Sequence, residues 1–144
     1  MAILHEPEDV RNVLRESRNI AVLGADVREH RPAYYVPAYL ADAGYAIYPV
    51  NPVHQGRILF GEPTLPTLAS LEAAIDIVDV FRRSEHLPDH VDDILAMEPL
   101  PKAVWFQQGI RNDEVAEKLS AAGIDVIQDR CMLVDHQRLL ATGE

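Results

Sequence analysis

The sequence has one cysteine and no long apolar run, and each shortage excludes a class of protein. A single cysteine cannot form a disulfide within the chain, and residues 1–10 do not have the pattern of a signal peptide, so a secreted disulfide scaffold is not expected. Charged residues or prolines interrupt every hydrophobic run well short of the ~20 residues that span a bilayer. We therefore expect a cytoplasmic protein that makes no contact with a membrane.

The shortage of positive charge argues against extended contact with nucleic acid. Lysine and arginine number 13 against 23 aspartates and glutamates, which gives a net charge of −10. A duplex-binding protein needs a basic face to neutralise phosphates. The 144 residues contain no internal repeat and no Gly/Ser linker, so we predict a single domain over residues 1–144.

Short apolar runs alternate with helical patterns along the whole chain. This alternation predicts an α/β fold with a doubly wound parallel sheet of five strands, of probable order 3-2-1-4-5. In that order the winding reverses between the first and fourth strands, which predicts a ligand crevice at their carboxyl ends, between the loops at 24–32 and 107–111. The five predicted strands are residues 20–23, 46–50, 75–81, 102–106 and 124–127.

Two prolines and one asparagine constrain the predicted elements. Pro37 is compatible with a helix only in its first turn, so the second helix is expected to start near residues 34–36. Pro49 removes one hydrogen-bond donor from the second strand and should lie near its end or where that bond is not needed. Asn112 is a good N-cap for the helix that Gly123 ends.

The loop after the first strand has the position of a dinucleotide fingerprint but only one of its glycines. Gly24 begins the loop, where a missing side chain lets backbone N–H groups approach a pyrophosphate. The second strand ends in Asn51 and not in the carboxylate that holds the ribose of NAD. NAD is therefore disfavoured, and Gly24 as a glycine that merely ends a strand stays an alternative.

Arginines follow four of the predicted strands, and parallel strands bring these positions to one end of the sheet. A cluster of guanidinium groups on an acidic protein would attract an anion, and it suits phosphate geometry. The alternative is that each arginine pairs with a nearby carboxylate, namely Glu29, Asp79, Glu85 or Asp129. The six arginines are Arg28, Arg31, Arg82, Arg83, Arg111 and Arg130.

Several motifs, taken in order, resemble the small stand-alone CoA-binding proteins. These proteins are similar to the CoA-binding domain of succinyl-CoA synthetase alpha chains and of ADP-forming acyl-CoA synthetases. The resemblance covers about residues 17–136, the expected core of the domain, and it implies a Rossmann-like fold. The motifs that carry it are Gly24-Ala25, Arg31-Pro32, Gly44-Tyr45, Tyr48-Pro-Val-Asn-Pro52, Asp76-Ile-Val-Asp-Val-Phe-Arg-Arg83, Ala103-Val-Trp-Phe-Gln-Gln-Gly109 and Asp129-Arg-Cys131.

The resemblance also implies roles for residues of this chain toward coenzyme A. Gly24, Ala25, Arg28 and Arg31 would serve the phosphates, and Asn51 and Pro52 would line the nucleotide side. Phe81, Arg82 and Arg83 would border the adenine or the 3′-phosphate, and Gln108 and Gly109 would close the crevice. Asp26 stands where the family often has serine, and its carboxylate would repel phosphate unless Arg28 or Arg31 neutralises it.

The histidines and the cysteine have less specific patterns. His86 and His90 have i,i+4 spacing without a third metal ligand, so solvated surface positions are expected and no metal site is predicted. Cys131 is interpreted either as a small buried residue or as a thiol near the sulfhydryl of CoA that could form a mixed disulfide. Trp105 is expected in the core.

The sequence thus predicts a protein that binds CoA or a short acyl-CoA without catalysing a reaction on it. One alternative is an NAD(P)-binding or redox-sensing regulator that uses the same crevice. Another is a detached CoA-binding subunit of an acyl-CoA synthetase. The acyl group stays open, and so does the choice between a homodimer and association with a different protein.

Overall fold

A computed structural model describes residues 2–141, and these form an α/β fold with a five-stranded parallel sheet. The strands are β1 (Asn19–Leu23), β2 (Ala46–Val50), β3 (Ile58–Leu59), β4 (Glu62–Pro63), β5 (Ile77–Val80), β6 (Ala103–Phe106) and β7 (Asp125–Ile127). The helices are α1 (Pro7–Glu16), α2 (Pro32–Asp42), α3 (Val91–Leu95), α4 (Asp113–Ala121) and α5 (Met132–His136). Among residues 2–141, no helix is both long and apolar enough to cross a bilayer.

The predicted fold class is confirmed, but the strand order differs from the expected 3-2-1-4-5. The order is β2-β1-β5-β6-β7, with β3 and β4 forming a separate antiparallel hairpin. The third strand of the main sheet, β5, therefore pairs with β1 and not with β2. In this order the winding reverses between β1 and β5, so the crevice is expected at their carboxyl ends.

The outer edge of β2 explains why the third strand does not lie there. The carbonyl oxygen of Pro49 faces that edge and accepts from the backbone N–H of Leu65, and the N–H of Asn51 donates to Leu65. The missing N–H of Pro49 faces the same edge, because N and O of one strand residue point to the same side. Because Pro49 has no N–H, this edge cannot form all the hydrogen bonds of a further strand. A single residue, Leu65, pairs with it instead.

The core has two halves, one on each face of the sheet. On one face, α1, α2 and α5 contribute buried apolar side chains that pack on alternate residues of the strands, including Trp105. On the other face, α3 and α4 pack on the remaining alternate residues, including Phe106. Both aromatic side chains are fully buried, so the expected core position of Trp105 is confirmed.

The second helix begins earlier than expected and keeps Pro37 in its interior. It starts at Pro32, so Pro37 lies beyond the first turn. A proline there leaves the carbonyl four residues earlier, that of Ala33, without its helical donor. The N–H of Asp26 donates to that carbonyl at 3.3 Å. The loop after β1 thus supplies the bond that the proline removes.

The other elements follow the sequence pattern with shorter helices than the periodicity indicates. Asn112 caps α4, because its side-chain oxygen accepts from the N–H of Val115 at 3.0 Å, as predicted. The helical pattern before β6 divides into a 3₁₀ segment, Ser84–His90, and the one-turn helix α3. The remaining irregular turns are Pro52–His54, Leu68–Ser70 and the π-helical Gln137–Ala141.

Candidate functional site

A cleft of about 590 Å³ opens at the carboxyl ends of β1, β5 and β6. Its walls come from the loop after β1 and the first turn of α2, from residues 81–86, and from residues 107–110, with Cys131 at one side. This is the position that the reversal of winding between β1 and β5 predicts. We call this cavity the main cleft.

Gly24 allows the chain after β1 to pass close to the chain after β5. Its φ is +92°, a conformation that glycine adopts readily and other residues rarely do. A Cβ at this position would lie 3.0 Å from the carbonyl oxygen of Phe81 and 3.1 Å from Cδ of Arg82. Gly24 therefore does more than end the strand: its missing side chain leaves room for the close approach of two cleft walls.

Arg28 neutralises the carboxylate of Asp26. The guanidinium group donates from Nε at 3.0 Å to Oδ1 and from Nη2 at 2.8 Å to Oδ2, and the backbone N–H of Arg28 also donates to Oδ1. The hydrogen bonds from the Arg28 side chain hold the pKa of Asp26 well below its usual range, although its partial burial opposes this shift. The pair carries no net charge, so the repulsion that Asp26 alone would exert on a phosphate is offset. The guanidinium group of Arg28 is in turn occupied by its hydrogen bonds to Asp26.

The six arginines separate into a paired and an unpaired group. Arg28 pairs with Asp26, Arg111 with Asp113 at 3.2 Å, and Arg130 with the buried Asp135 at 2.6 Å. Within residues 2–141, the other three side chains have no hydrogen bond or ion pair, and all three line the main cleft: Arg31, Arg82 and Arg83. Nε of Arg82 is buried and has no hydrogen-bond partner in the described part of the chain. Neither the anion hypothesis nor the pairing hypothesis holds for all six.

Within residues 2–141, none of the four carboxylates expected to pair with the arginines forms an ion pair with them, and Asp79 differs most from expectation. It lies in the middle of β5, fully buried, with both oxygens lacking a hydrogen-bond partner within the described residues. Burial raises the pKa of Asp79 well above its usual range, so the side chain is the neutral acid over a wider pH range than an exposed aspartate.

A smaller pocket of about 220 Å³ adjoins the main cleft, and Gly24 and Arg82 line both cavities. We call it the side pocket. Asn51 and Pro52 line it, but the side chain of Asn51 is already engaged: its amide donates to the carbonyl of Ala25 at 2.9 Å and its oxygen accepts from Val53. Asn51 thus ties the end of β2 to the loop after β1.

His90 also lines the side pocket, which corrects the expected solvated position. Its side chain is 18% exposed and both ring nitrogens lack a hydrogen-bond partner within the described chain, with Asp93 3.9 Å from Nδ1. Burial, together with the charge of Arg82, lowers the pKa of His90. His86, by contrast, lines the main cleft.

Two of the predicted binding residues line neither cavity. Ala25 is fully buried and packs into the core beneath the loop. Gly109 donates its N–H to Oδ1 of Asp129 at 2.6 Å, so it fixes the loop after β6. The structure brings the other ten together around the two cavities: Gly24, Asp26, Arg28, Arg31, Asn51, Pro52, Phe81, Arg82, Arg83 and Gln108.

Besides Cys131, six residues that line the main cleft are not among the predicted binding residues, although three of them lie in the loops expected to border it: Pro32, Ala33, Tyr35, His86, Gln107 and Ile110. Gln107 is 4% exposed and its side-chain oxygen accepts from the backbone N–H of Met132 at 3.3 Å. Tyr35, 46% exposed, lies in the first turn of α2, and Ile110 follows Gln108 in the loop after β6. Their positions directly after a strand or at a helix start were the available signal, since such positions border the crevice of a doubly wound sheet. Pro32 also lies in the wall.

The fold and the site define a class: a doubly wound α/β domain with a cleft at the reversal of strand winding that concentrates unpaired arginines beside a close-approach glycine. In doubly wound sheets ligands bind in the crevice at this point, and a helix N-terminus beside it suits an anionic group such as phosphate. Residues 18–137 match the family described as "CoA binding domain". The chain belongs to this family, and the resemblance to CoA-binding proteins is confirmed.

Relatives match this chain over nearly its whole length. The uncharacterized protein YneT of Bacillus subtilis is 37% identical over 128 residues, which cover 89% of this chain and 92% of YneT. The structure of cell-free ID.343 from Thermus thermophilus superposes with a TM-score of 0.90 at 45% identity, covering 94% of this chain and all of that one. A hypothetical protein from Pyrococcus horikoshii has a TM-score of 0.86 at 32% identity, covering 94% and 93%.

Proposed function

We propose that this protein binds CoA or a short acyl-CoA in the main cleft and the side pocket, and that it does not catalyse a reaction on the ligand. The observation that carries the proposal is the set of three unpaired arginines, Arg31, Arg82 and Arg83, on one cleft of an otherwise acidic protein. Unpaired guanidinium groups favour a polyanion, and the pyrophosphate and 3′-phosphate of CoA form one.

The residues present fit the phosphates of CoA. The buried Nε of Arg82 lacks an acceptor within residues 2–141, which an anionic oxygen would supply. The space that a Cβ of Gly24 would need is taken by Phe81 and the stem of Arg82, so this glycine lets the Arg82 side chain lie against the loop after β1. The N-terminus of the eleven-residue helix α2 borders the same cleft, and its dipole favours negative charge.

The two connected cavities offer different surroundings to the two ends of such a ligand. Arg82 lines both and is the natural contact for phosphate groups at their junction. The side pocket, next to Asn51 and Pro52, would take the adenosine part. The rest of the main cleft, which extends to Gln108 and Cys131, would take the pantetheine arm and its thiol.

Calorimetric titration with CoA tests the proposal. We expect saturable binding that weakens about tenfold in Arg31→Ala and in Arg82→Ala, since one charge-assisted hydrogen bond contributes ~1.5–3 kcal/mol. Arg18→Ala is the matched control: it removes the same charge from an exposed residue just before β1, at the opposite end of the sheet. Absence of heat with millimolar CoA, or equal weakening in the control, would contradict the proposal.

The absence of catalysis needs a separate measurement. We expect acetyl-CoA incubated with the protein to release no thiol beyond the buffer rate, and ATP with a carboxylic acid to yield no acyl-CoA. Enzymatic thiol release would show a hydrolase, and synthesis restored only by cell extract would favour the detached-subunit alternative. Parallel titrations with NADH and NADPH address the regulator alternative, for which tighter binding than that of CoA is the required result.

A further inference from the structure

We propose that His90 is a specificity-determining residue of the side pocket. A ring nitrogen of His90 accepts a hydrogen bond from the exocyclic amino group of the bound base, so the pocket selects adenine over a base with a carbonyl at that position. The inference rests on the proposed function, because the adenosine part of the ligand must occupy the side pocket for the base to reach His90. The binding of the phosphates does not use this histidine.

Buried polar atoms without partners concentrate at the side pocket. Within residues 2–141, three residues have buried side-chain nitrogens or oxygens that lack a hydrogen-bond partner, and two of them, Arg82 and His90, line this pocket. Nε of Arg82 and both ring nitrogens of His90 are in this state. An unpaired buried donor or acceptor is costly, so a ligand that supplies the missing partners is favoured there.

The rest of the side-pocket wall suits the faces of a flat ring. Two of its polar residues are already engaged: both ends of the Asn51 side chain are hydrogen-bonded within the chain, and the hydroxyl of Thr67 lies 2.7 Å from that of Ser70. The volume of about 220 Å³ is below the ~300–1,000 Å³ of pockets that hold a whole small ligand, so the pocket fits one part of a ligand, such as a single ring system. The apolar wall residues are Leu23, Val50, Pro52, Pro66 and Leu68.

The charges around His90 favour an uncharged base over a phosphate. Oδ2 of Asp93 lies 3.9 Å from Nδ1 of His90, and Asp93 itself lines the side pocket, so it would repel an anionic group next to the ring. Asp89 adds a second negative charge, while Arg82 and His86 act on the ring in the opposite sense. Burial, together with the charge of Arg82, lowers the pKa of His90, so the ring is neutral at pH 7 and has one donor and one acceptor.

The position of Asp93 indicates which ring nitrogen is the acceptor. A carboxylate on the side of Nδ1 favours the proton on Nδ1, which leaves Nε2 of His90 as the acceptor. The distance of 3.9 Å is too long for a hydrogen bond, and no other hydrogen bond fixes the ring within residues 2–141, so the ring can turn toward a ligand. The exocyclic amino group of adenine is the donor that Nε2 lacks. A carbonyl at the same position would present a second acceptor and leave Nε2 unpaired.

Calorimetric titration with CoA and with its analogue that has hypoxanthine in place of adenine tests the inference. We expect the parent protein to bind CoA ~10-fold more tightly than the analogue, because the analogue leaves a buried acceptor unpaired. In His90→Leu the two affinities should lie within ~2-fold of each other, since leucine neither donates nor accepts. His90→Gln should keep a preference for CoA, because its amide oxygen is an acceptor. His5→Leu, at an exposed position before α1, is the matched control and should keep the preference of the parent.

The ratio of the two affinities separates the role of His90 from a loss of folded protein, which would lower both affinities alike. Equal affinity of the parent for the two ligands, or a preference that His90→Leu retains, would overturn the role of His90 and leave the proposed function intact. Absence of CoA binding by the parent would overturn the proposed function itself.

Dephospho-CoA, which has the same base but no 3′-phosphate, tests the phosphate alternative. We expect His90→Leu to weaken the binding of CoA and of dephospho-CoA by the same factor, because both present the amino group of adenine. Weakening for CoA alone would show that His90 contacts the 3′-phosphate, and it would overturn the inference.

Discussion

Asp79 is a fully buried carboxyl group whose oxygens find no hydrogen-bond donor within residues 2–141. Burial disfavours its charged form and raises its pKa well above the usual range. The folded state therefore binds this proton more tightly than the unfolded state. The contribution of Asp79 to the free energy of unfolding is therefore most favourable below the ordinary aspartate pKa. It becomes less favourable as pH rises toward the raised pKa of the folded state.

Replacement of this residue should make the pH dependence visible. We expect Asp79→Asn to be more stable than the parent at pH 8, with a difference that shrinks by about 1.4 kcal/mol per pH unit inside the titration window as pH falls toward ~4. Urea unfolding of both proteins at a series of pH values measures it. The other titrating groups are common to both proteins, so a difference that is independent of pH would show that Asp79 does not titrate this way.

Gly24 and Gly44 allow conformational strain to be separated from close approach. Both have positive φ, +92° and +110°, but a Cβ at Gly44 would meet no atom of the described residues within 4 Å, whereas at Gly24 it would press on Phe81 and Arg82. We expect each alanine variant to lose ~1 kcal/mol of stability from backbone strain. Gly24→Ala should in addition weaken CoA binding ~10-fold or more, since Arg82 must move.

Calorimetry and urea unfolding of the two alanine variants together check this expectation. Gly44→Ala serves as the control because it introduces the same backbone strain at a position away from the cleft. If both variants bind CoA like the parent, the approach of the two cleft walls at Gly24 does not matter for the ligand.

At the scale of elements, α2 depends on a neighbouring loop. Pro37 interrupts its hydrogen bonding, and the N–H of Asp26 fills the vacant acceptor on Ala33. This bond also fixes the residue that engages Arg28, so the helix and the phosphate loop are held by shared contacts. A periodic pattern cannot predict such a helix start, because the compensating donor lies outside the helix.

Substitution of Pro37 tests this compensation. Proline in a helix interior ordinarily costs ~3 kcal/mol relative to alanine. We expect Pro37→Ala to change the free energy of unfolding by less than ~1 kcal/mol, because the acceptor is already used and proline also restricts the unfolded chain. Chemical denaturation at pH 7 measures the change. If the free energy of unfolding rose by ~3 kcal/mol in Pro37→Ala, Asp26 would provide no compensation.

The sequence predicted which segments are strands better than it predicted how they are arranged. The five apolar runs are all strands of the sheet, within two residues of their expected limits, because buried parallel strands have a continuous hydrophobic signature. The order of the strands could not be predicted in this way. The outer edge of β2 pairs with Leu65, which lies in a segment without periodicity. The candidate site was predicted to a similar extent: residues next to strands and the pairing of Asp26 with Arg28 were expected, but the partners of Arg111 and Arg130 were not.

At the scale of the whole molecule, a negatively charged protein presents a locally positive cleft. Three unpaired arginines line a single cavity of a chain with net charge −10. We expect the CoA dissociation constant to rise with potassium chloride concentration between about 0.1 and ~0.5 M, because added salt screens these charges and reduces the Debye length from ~10 Å at the lower concentration. Titrations at several salt concentrations give the slope.

The arginine variants show which residues cause the salt dependence of CoA binding. Arg31→Ala should reduce the dependence of log Kd on log salt, whereas Arg18→Ala, which lies at the far end of the sheet, should leave it unchanged. A salt-independent affinity in the parent protein would indicate that apolar contacts and not the arginines hold the ligand.

Hydrophobic periodicity predicted the fold class, the residues directly after strands predicted the end of the sheet at which the main cleft lies, and the resemblance of an ordered set of motifs predicted the family. Only the tertiary structure decided the strand order and which arginines remain available to a ligand. Among the described residues, Arg28, Arg111 and Arg130 are paired while Arg31, Arg82 and Arg83 are not. An ion pair depends on distances of a few ångströms between side chains, and sequence separation does not specify them.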